Sequence, residues 1–434
     1  MSSILTNNGA MVALQTLKSI NYDLADTQKQ ISTGKSVANA KDNSAIWAIS
    51  KVMESDVQGF KGISDSLALG QSTVAVARQG AETVTDLLTQ VKGKIVAAQE
   101  ENVDREKIQT DIAALRDQIS AVVGAAQFNG LNLLSNTDTT AGTGSINVLA
   151  SLDRSDTGVT ASDISVRKKD LSTDAGSIDG TGGTFTASVD SVTLNNATLS
   201  DTIDLGTTNS GLAAGTAYVL NVFGTDADDS TFTQADYRTT AAAAATQAEA
   251  AASEIRYIVR DGDTANDVAK GLADAYSTYA SANGLDTDTL NVTASGDTLT
   301  IASTVTTATD TLAVSVSSVV SSANVVAGGL EALADIDVST QSGVDEALTN
   351  IEGLIQTAID SSASFGSVQG RIETQSKFIT SLTDSLRSGI GTLVDADMEE
   401  ASARLQALQV QQQLGVQALS IANQAPQSLL SLFR

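Results

Sequence analysis

Apolar side chains recur at alternating intervals of three and four residues over long stretches near both ends of the chain. The longest series spans 46–95 and is interrupted at Asp56 and Gly70. At about 1.5 Å per residue it predicts a helix roughly 75 Å long with a coiled-coil repeat. Because a single helix cannot bury such a stripe against itself, this one needs partner helices.

A second long series spans 344–393, and Ser342 followed by Asp345 is a candidate cap for the start of that helix. Shorter series occur at 10–31 and 401–422, and we expect the helices of the two ends to pair with one another. The positions predicted to pack between helices or between subunits are Leu14, Leu17, Leu24, Ile31, Ile46, Ile49, Phe60, Ile63, Leu67, Leu88, Val91, Ile95, Leu386, Ile390, Leu393, Leu405, Leu408, Leu414, Leu419, Leu429 and Leu432.

The apolar stripes of the two terminal helices, at 10–31 and 401–422, also contain polar residues. Asn21, Gln28 and Gln412 stand within the stripes, where polar side chains typically set the register of paired helices. The last helix also has apolar residues outside its stripe, at Val410, Leu414, Val416 and Ile421. Exposing that second face on a monomer is unfavourable, which predicts burial against other subunits. The alternative is a monomeric helical hairpin with a wide core stripe.

Between the helical ends, the pattern changes to short stretches that alternate with period two. Residues 146–149 and 164–167 predict a β-hairpin, after a turn at Phe128-Asn129-Gly130. Further strands are predicted at 184–192, 217–223, 289–294, 297–302 and 312–319, and helices at 234–258 and 264–282. Segment 176–335 has 20 acidic and 4 basic residues, so we interpret it as a solvated insert.

The predicted fold class is mostly α with an α+β insert. Both termini form a long coiled-coil hairpin, a small β-hairpin lies beside it, and a variable domain faces outward. The predicted domains are 1–41 with 395–434 as an inner core, 42–175 with 336–394 as a helical shell, and 176–335 as the surface domain.

Composition removes most enzyme classes. The 434 residues include no His, no Cys and one Pro, and only 3% are aromatic. There is therefore no imidazole base, thiolate nucleophile, disulfide or His/Cys metal site. The net charge of −26 disfavours binding to nucleic acid or to anionic lipid. No apolar run is long enough for a membrane helix, and the N-terminus does not have the pattern of a cleaved secretory signal.

Two acidic loops, 226–230 and 286–288, place oxygen ligands at alternate positions, as calcium loops do. Neither has the glycine and the closing glutamate of an EF-hand, so we interpret both as solvated loops. No pair of carboxylates stands in an apolar context suited to acid–base chemistry. We expect no catalytic, cofactor-binding or metal-binding residues, no cofactor, and no enzymatic activity.

Several segments of the chain resemble bacterial flagellins, the subunits of the flagellar filament. They are QISTGK at 30–35, AKDNSA at 40–45, QFNG at 127–130, GRI at 370–372, DADM at 395–398 and ANQAPQSLLSLFR at 422–434. The resemblance covers roughly 1–170 and 340–434, on both sides of the insert, and the start of the chain and Trp47 are similar to the alphaproteobacterial branch.

The resemblance implies a helical homopolymer, outside the cell, that serves as the propeller for swimming. It implies export unfolded through a type III channel, a chaperone for the C-terminal helix, and partners among the filament cap and hook-associated proteins. Two alternatives remain open: a hook–filament junction protein with the same terminal helices, and an adhesin or carbohydrate-binding enzyme carried by the insert.

Overall fold

The computed structural model describes residues 7–155, 158–206, 212–307 and 309–432, with side chains at all of these except 154, 155 and 425–432. The helices are α1 (Asn8–Thr33), α2 (Ser44–Ala98), α3 (Arg105–Ala125), α4 (Gln247–Ala252), α5 (Ala265–Ala282), α6 (Gln341–Val394) and α7 (Met398–Leu432). The strands are β1 (Gln127–Phe128), β2 (Leu131–Asn132), β3 (Ser145–Ser155), β4 (Gly158–Arg167), β5 (Thr184–Leu194), β6 (Ser200–Asp204), β7 (Thr216–Thr225), β8 (Arg256–Ile258), β9 (Leu290–Ser295), β10 (Thr298–Ser303) and β11 (Thr311–Val320). Long terminal helices and small antiparallel sheets confirm the predicted fold class.

The chain divides into two compact units. The first consists of the described residues of Met1–Asp65, Ser151–Thr160 and Ser376–Arg434, and the second of those of Ser66–Ala150 and Ala161–Gln375. The first unit thus contains the pair of terminal helices, and the second contains the insert. The three-domain division inferred from composition stays a prediction.

The heptad stripe of α2 forms the core of the helical region in the second unit. Leu67, Leu88, Val91 and Ile95 are fully buried. The interruption at Gly70 has a packing reason, because a Cβ at this position would lie 2.6 Å from Cγ1 of Val148 on β3. The missing side chain therefore makes room for the β3–β4 hairpin.

Polar contacts between α2 and α6 accompany this apolar core. Arg78 donates from Nε to Oε1 of Gln369 at 3.0 Å, and Gln71 donates to Glu373 at 3.3 Å. Directional bonds of this kind favour one register of the two helices over its neighbours.

Two antiparallel sheets build the insert. One has the strand order β5-β11-β7-β8 and the other β6-β10-β9. Helix α5 contributes Val268, Leu272 and Tyr276 to the larger apolar cluster, which also receives side chains from both sheets. A smaller cluster includes Ile178, Val219 and Val326. The insert therefore has apolar cores formed by its own residues.

The helix predicted at 234–258 is wrong. Only α4 is helical in that segment, and β8 follows it within the predicted range. Thr239 donates its backbone N–H to Val222 O at 2.9 Å, which holds the chain against β7. The carboxylate of Glu249 accepts from the N–H groups of Ala241 and Thr246, each at 2.7 Å, so the helix begins only after the alanine run. Tertiary pairing overrides the helix propensity of alanine here.

The remaining differences are local. Helix α5 matches its predicted range, but strands β1, β2, β6 and β8 were not predicted. Helix α6 begins at Gln341, and its cap is Thr340, whose Oγ1 accepts from Gly343 N at 3.1 Å; the predicted cap, Ser342, lies inside the helix. The β3–β4 hairpin and the turn at Asn129-Gly130, where both residues have positive φ, agree with the predictions.

Candidate assembly surface

Helices α1 and α7 lie antiparallel in the first unit. Asn21 accepts a hydrogen bond from Gln412 Nε2 at 2.7 Å, and Asn7 Nδ2 donates to Ala422 O at 2.8 Å. Residue numbers thus rise along one helix as they fall along the other. Between these two bonds, Leu17 packs close to Gly415. Polar side chains therefore fix the register of the two helices at two places.

The bounds of α1 follow from its terminal residues. Asn7 Oδ1 accepts from Ala10 N at 3.1 Å, which caps the first turn, while the amide of the same side chain reaches α7. The helix ends at Thr33, and the next residue, Gly34, has a φ of +68°, the left-handed conformation typical of a helix C-terminus. One asparagine thus both starts the helix and ties it to its partner.

Short backbone contacts join the end of α1 to the segment between α6 and α7. Ala396 N donates to Gly34 O at 3.0 Å, and Ser36 N donates to Val394 O at 2.7 Å. Beside them, the hydrogen bond from Lys29 lowers the pKa of Asp42. The resembling segments QISTGK and DADM meet at this junction, so their similarity has a structural role.

The α1–α7 pair leaves many apolar side chains in solvent. On α1 these are Met11, Val12, Leu14 and Tyr22. On α7, the second apolar face predicted from the sequence, Val410, Leu414, Val416 and Ile421, is exposed. Exposed apolar rows of this kind on a helix pair mark a surface for association.

The predicted packing positions fall into three groups. Buried side chains are Ile63, Leu67, Leu88, Val91, Ile95 and Leu408. Partly buried side chains are Leu17, Leu24, Ile31, Ile46, Phe60, Leu386, Ile390, Leu405 and Leu419. Exposed side chains are Leu14, Ile49, Leu393 and Leu414. The side chains of Leu429 and Leu432 lie outside the described residues.

The sequence reasoning missed several exposed apolar residues. Met11, Val12 and Tyr22 lie on α1, and Phe378 lies on α6. They stand off the heptad stripe, as Val410 and Ile421 do on α7, so a search of α1 and α6 for apolar residues outside the stripe would have found them.

The acidic loop at 226–230 is organised by its own chain. Both oxygens of the buried Asp226 accept backbone N–H groups, from Ser230, Thr231 and Phe232 at 2.8 to 3.1 Å. Burial alone would raise the pKa of Asp226, but these bonds outweigh it and lower the pKa to about 2. Oxygens of Asp226, Asp228 and Asp310 lie within 4.8 Å of one another. The arrangement serves as a turn anchor for β7.

No helix in the described part of the chain is both long enough and apolar enough to cross a membrane. The two long helices α2 and α6 instead carry the mixed apolar and polar pattern of packed helical rods. Together with the antiparallel terminal pair and its exposed apolar rows, they define a helical subunit built for assembly with neighbours.

Comparison with known proteins identifies the family. Residues 4–139 match the bacterial flagellin N-terminal helical region, and residues 342–433 match the C-terminal helical region. Flagellin A of Rhizobium meliloti is 37% identical over the whole of both chains. Flagellin FljM of Caulobacter vibrioides is 28% identical over 100% of this chain and 99% of its own. The chain belongs to the bacterial flagellin family.

Relatives from these two bacteria confirm the alphaproteobacterial resemblance. The chain is a structural protein of the extracellular bacterial flagellum, the subunit that polymerises into the filament used for swimming. A solved hook-associated protein-3 from Legionella pneumophila covers 79% of this chain and 98% of its own at 9% identity, with a TM-score of 0.35. So distant a likeness does not support the junction-protein alternative.

Proposed function

We propose that the exposed apolar faces of α1 and α7 are the surfaces through which subunits polymerise. The observation that carries the proposal is the row Val410, Leu414 and Ile421 along one side of α7, which a single subunit leaves in water, as it does Val416 on another side. Burying such side chains against neighbours releases free energy that a monomer cannot obtain. Because each subunit would place this row against a different surface of the next, the contacts are heterologous and growth stays open.

The predicted packing positions divide into two roles in this proposal. The buried α2 positions, such as Leu88 and Ile95, hold the subunit's own rods together. The exposed ones, such as Leu14, Ile49 and Leu414, contact neighbouring subunits. Ile49 on α2 and Phe378 and Leu393 on α6 are further exposed apolar residues of the first unit.

The partners expected during export and assembly follow from the same exposed apolar surface. We propose that α7 is held by a chaperone before export, because its apolar face would otherwise promote early polymerisation. Secretion proceeds through the type III channel as an unfolded chain, and growth at the tip takes place under the cap protein, next to the hook-associated proteins. The absence of cysteine suits such a passage, since no disulfide can form during export. The protein acts through assembly, with no enzymatic step.

Truncation tests the proposal. A chain ending at Arg404 loses most of α7 and is expected not to polymerise from seeds. The matched control lacks 176–335, with a short Gly/Ser linker in its place, and is expected to form filaments in electron micrographs. Ordinary tubes from the Arg404 chain would contradict the proposal.

Abundance separates the filament subunit from the junction protein. In flagella sheared from the cells, a filament subunit is the dominant protein, whereas a junction protein is a minor one.

Loss of binding to a surface or glycan, with filaments intact, in the chain lacking 176–335 would support an adhesin role of the insert.

A further inference from the structure

A cavity of about 450 Å³ lies where the insert meets the helical part of the second unit. Seven Lys and Arg residues occur between positions 155 and 370, and six of them line this cavity. The six are Arg167, Lys168, Lys169, Arg256, Arg260 and Lys270. In so acidic a region, this concentration of basic residues points to a specific electrostatic role.

Three of these bases form ion pairs that cross between the insert and its flanks. Arg260 of the insert lies 3.7 Å from Asp170, which precedes the insert. Arg167, the last residue of β4, pairs with Asp263 at 3.5 Å and with Asp267 at 3.4 Å. Lys270 on α5 lies 3.5 Å from Asp360 on α6. The pairs thus tie the insert to the segment before it and to the long helix after it.

Backbone contacts strengthen the same junction. Oδ2 of Asp261 accepts from Gly142 N at 2.9 Å and from Gly144 N at 2.7 Å. A Cβ at Gly144 would lie 1.9 Å from Asp261 O, so only glycine permits this approach.

The Arg260–Asp170 pair is the most buried part of the junction. The side chain of Asp170 is 1% exposed and that of Arg260 is 14% exposed. Arg260 Nε and Asp170 Oδ2 have no hydrogen-bond partner, although other guanidinium nitrogens donate to Tyr257 Oη and to Ala327 O. Among the described residues Asp170 forms no other ion pair, so its buried charge depends on Arg260 for compensation. Removing one partner would leave a buried charge unpaired, which is strongly unfavourable.

We propose that these contacts form an electrostatic clamp that holds the insert in one orientation on the helical part of its unit. Both apolar clusters of the insert consist of residues between 178 and 326, so each closes within the insert. Backbone hydrogen bonds from Gly328 N to Asp174 O and from Leu330 N to Ser172 O also join the insert to the preceding segment, and in the proposal the charge pairs of the clamp add the contacts that fix its orientation. Since the central pair is buried, the clamp holds at high ionic strength.

Hydrogen exchange at the Gly144 amide measures the clamp directly, in the full-length soluble subunit. Arg260→Met is expected to raise this exchange rate roughly 100-fold, because it leaves Asp170 unpaired. The double variant Arg260→Met with Asp170→Asn is expected to recover most of the protection. Lys107→Met, which removes an exposed ion pair with Asp104 outside the cavity, is the matched control and is expected to change the rate less than about threefold.

A distance measurement provides an independent readout. The chain has no cysteine, so spin labels at Asp86→Cys on α2 and Ser295→Cys in the insert are unambiguous. The distance distribution is expected to stay narrow from 0.1 to 1 M NaCl in the parent and to broaden in Arg260→Met.

Three outcomes would overturn the proposal. One is an unchanged Gly144 rate and an unchanged distance distribution in Arg260→Met. Another is an equal rise in exchange at Val222 within the insert's sheet, which would indicate general unfolding. If Arg260→Met does not fold, Arg167→Met is measured in the same way. The third outcome is then a Gly144 exchange rate in Arg167→Met equal to that of the parent.

Discussion

Replacing Leu414 and Ile421 together by serine probes the exposed face of α7 most directly. Both side chains point into solvent in the subunit, with exposed fractions of 58% and 69%. The substitution removes little that supports the subunit's own fold. We expect the monomer to keep its melting temperature and its helical circular dichroism, while polymerisation weakens.

The magnitude follows from the exposed area. Neighbouring subunits would remove from water somewhat more than one complete aliphatic side chain at these two positions. Full burial of such a side chain is worth about 1.5 to 3 kcal/mol, so the pair contributes about 2 to 4 kcal/mol per subunit. This corresponds to a rise of roughly 30- to 700-fold in the subunit concentration that coexists with filaments.

Sedimentation of seeded polymer gives that concentration directly. The control is Val189→Ser with Leu199→Ser, two exposed apolar residues of the insert, whose loss is expected to leave the critical concentration unchanged. A double α7 variant that polymerises within threefold of the parent concentration would refute the assignment of this face to subunit contacts.

Three further predictions follow from individual contacts. The double variant Asn21→Leu with Gln412→Leu should change the free energy of unfolding of the subunit by no more than about 1 kcal/mol. It should nevertheless alter filament shape in electron micrographs, because the hydrogen bond that sets the register of α1 and α7 is lost. An unchanged waveform would count against this role of the bond. Gly70→Ala should lower the melting temperature, because the added methyl group overpacks Val148 at a cost of about 1 to 3 kcal/mol. Gly93→Ala is the control at a helical position with open space and should raise the melting temperature. A change of the same sign in both variants would contradict the packing explanation. Asp226→Asn should destabilise the insert at pH 7, and its difference from the parent in thermal melts should shrink below about pH 4 and be mostly lost at pH 2.

The sign of that pH dependence follows from the lowered pKa. A carboxyl group whose pKa is about 2 in the folded chain and near its ordinary 3.8 in the unfolded chain stabilises the fold above about pH 4. That stabilisation is lost as the pH falls through the folded-state value, because the parent then carries a neutral group as the variant does. A difference at pH 2 as large as the one at pH 7 would show that Asp226 acts by packing rather than by charge.

The long helices were predictable because their signal is repeated over many turns. A heptad stripe sustained over fifty residues predicts one helix whatever its neighbours are, and α2 and α6 have these bounds to within a few residues. Gly70 breaks the stripe only because a β-hairpin from a distant part of the sequence packs against it. That cause cannot be read from the local pattern.

The insert was harder to predict because its elements are short and its decisive contacts are distant in sequence. The alanine run before α4 favours a helix locally, yet backbone pairing with β7 and capping by Glu249 override it. The clamp pairs, such as Arg260 with Asp170, join residues ninety positions apart, and nothing in the spacing of charges reveals them. Charge composition located an acidic insert but not the junction that orients it.

Burial along the chain explains why the terminal helices are the part suited to assembly. Among the described side chains of α1 and α7, only Thr27, Ala401 and Leu408 are buried, whereas α2 buries its stripe fully from Ile63 onward. A pair of helices with so little burial has little stability of its own, since helices in water depend on packing an apolar face. Their apolar rows remain available until neighbouring subunits cover them. In the proposed assembly, where neighbours cover these rows, the low burial of the terminal pair in the free subunit couples its ordering to growth of the filament.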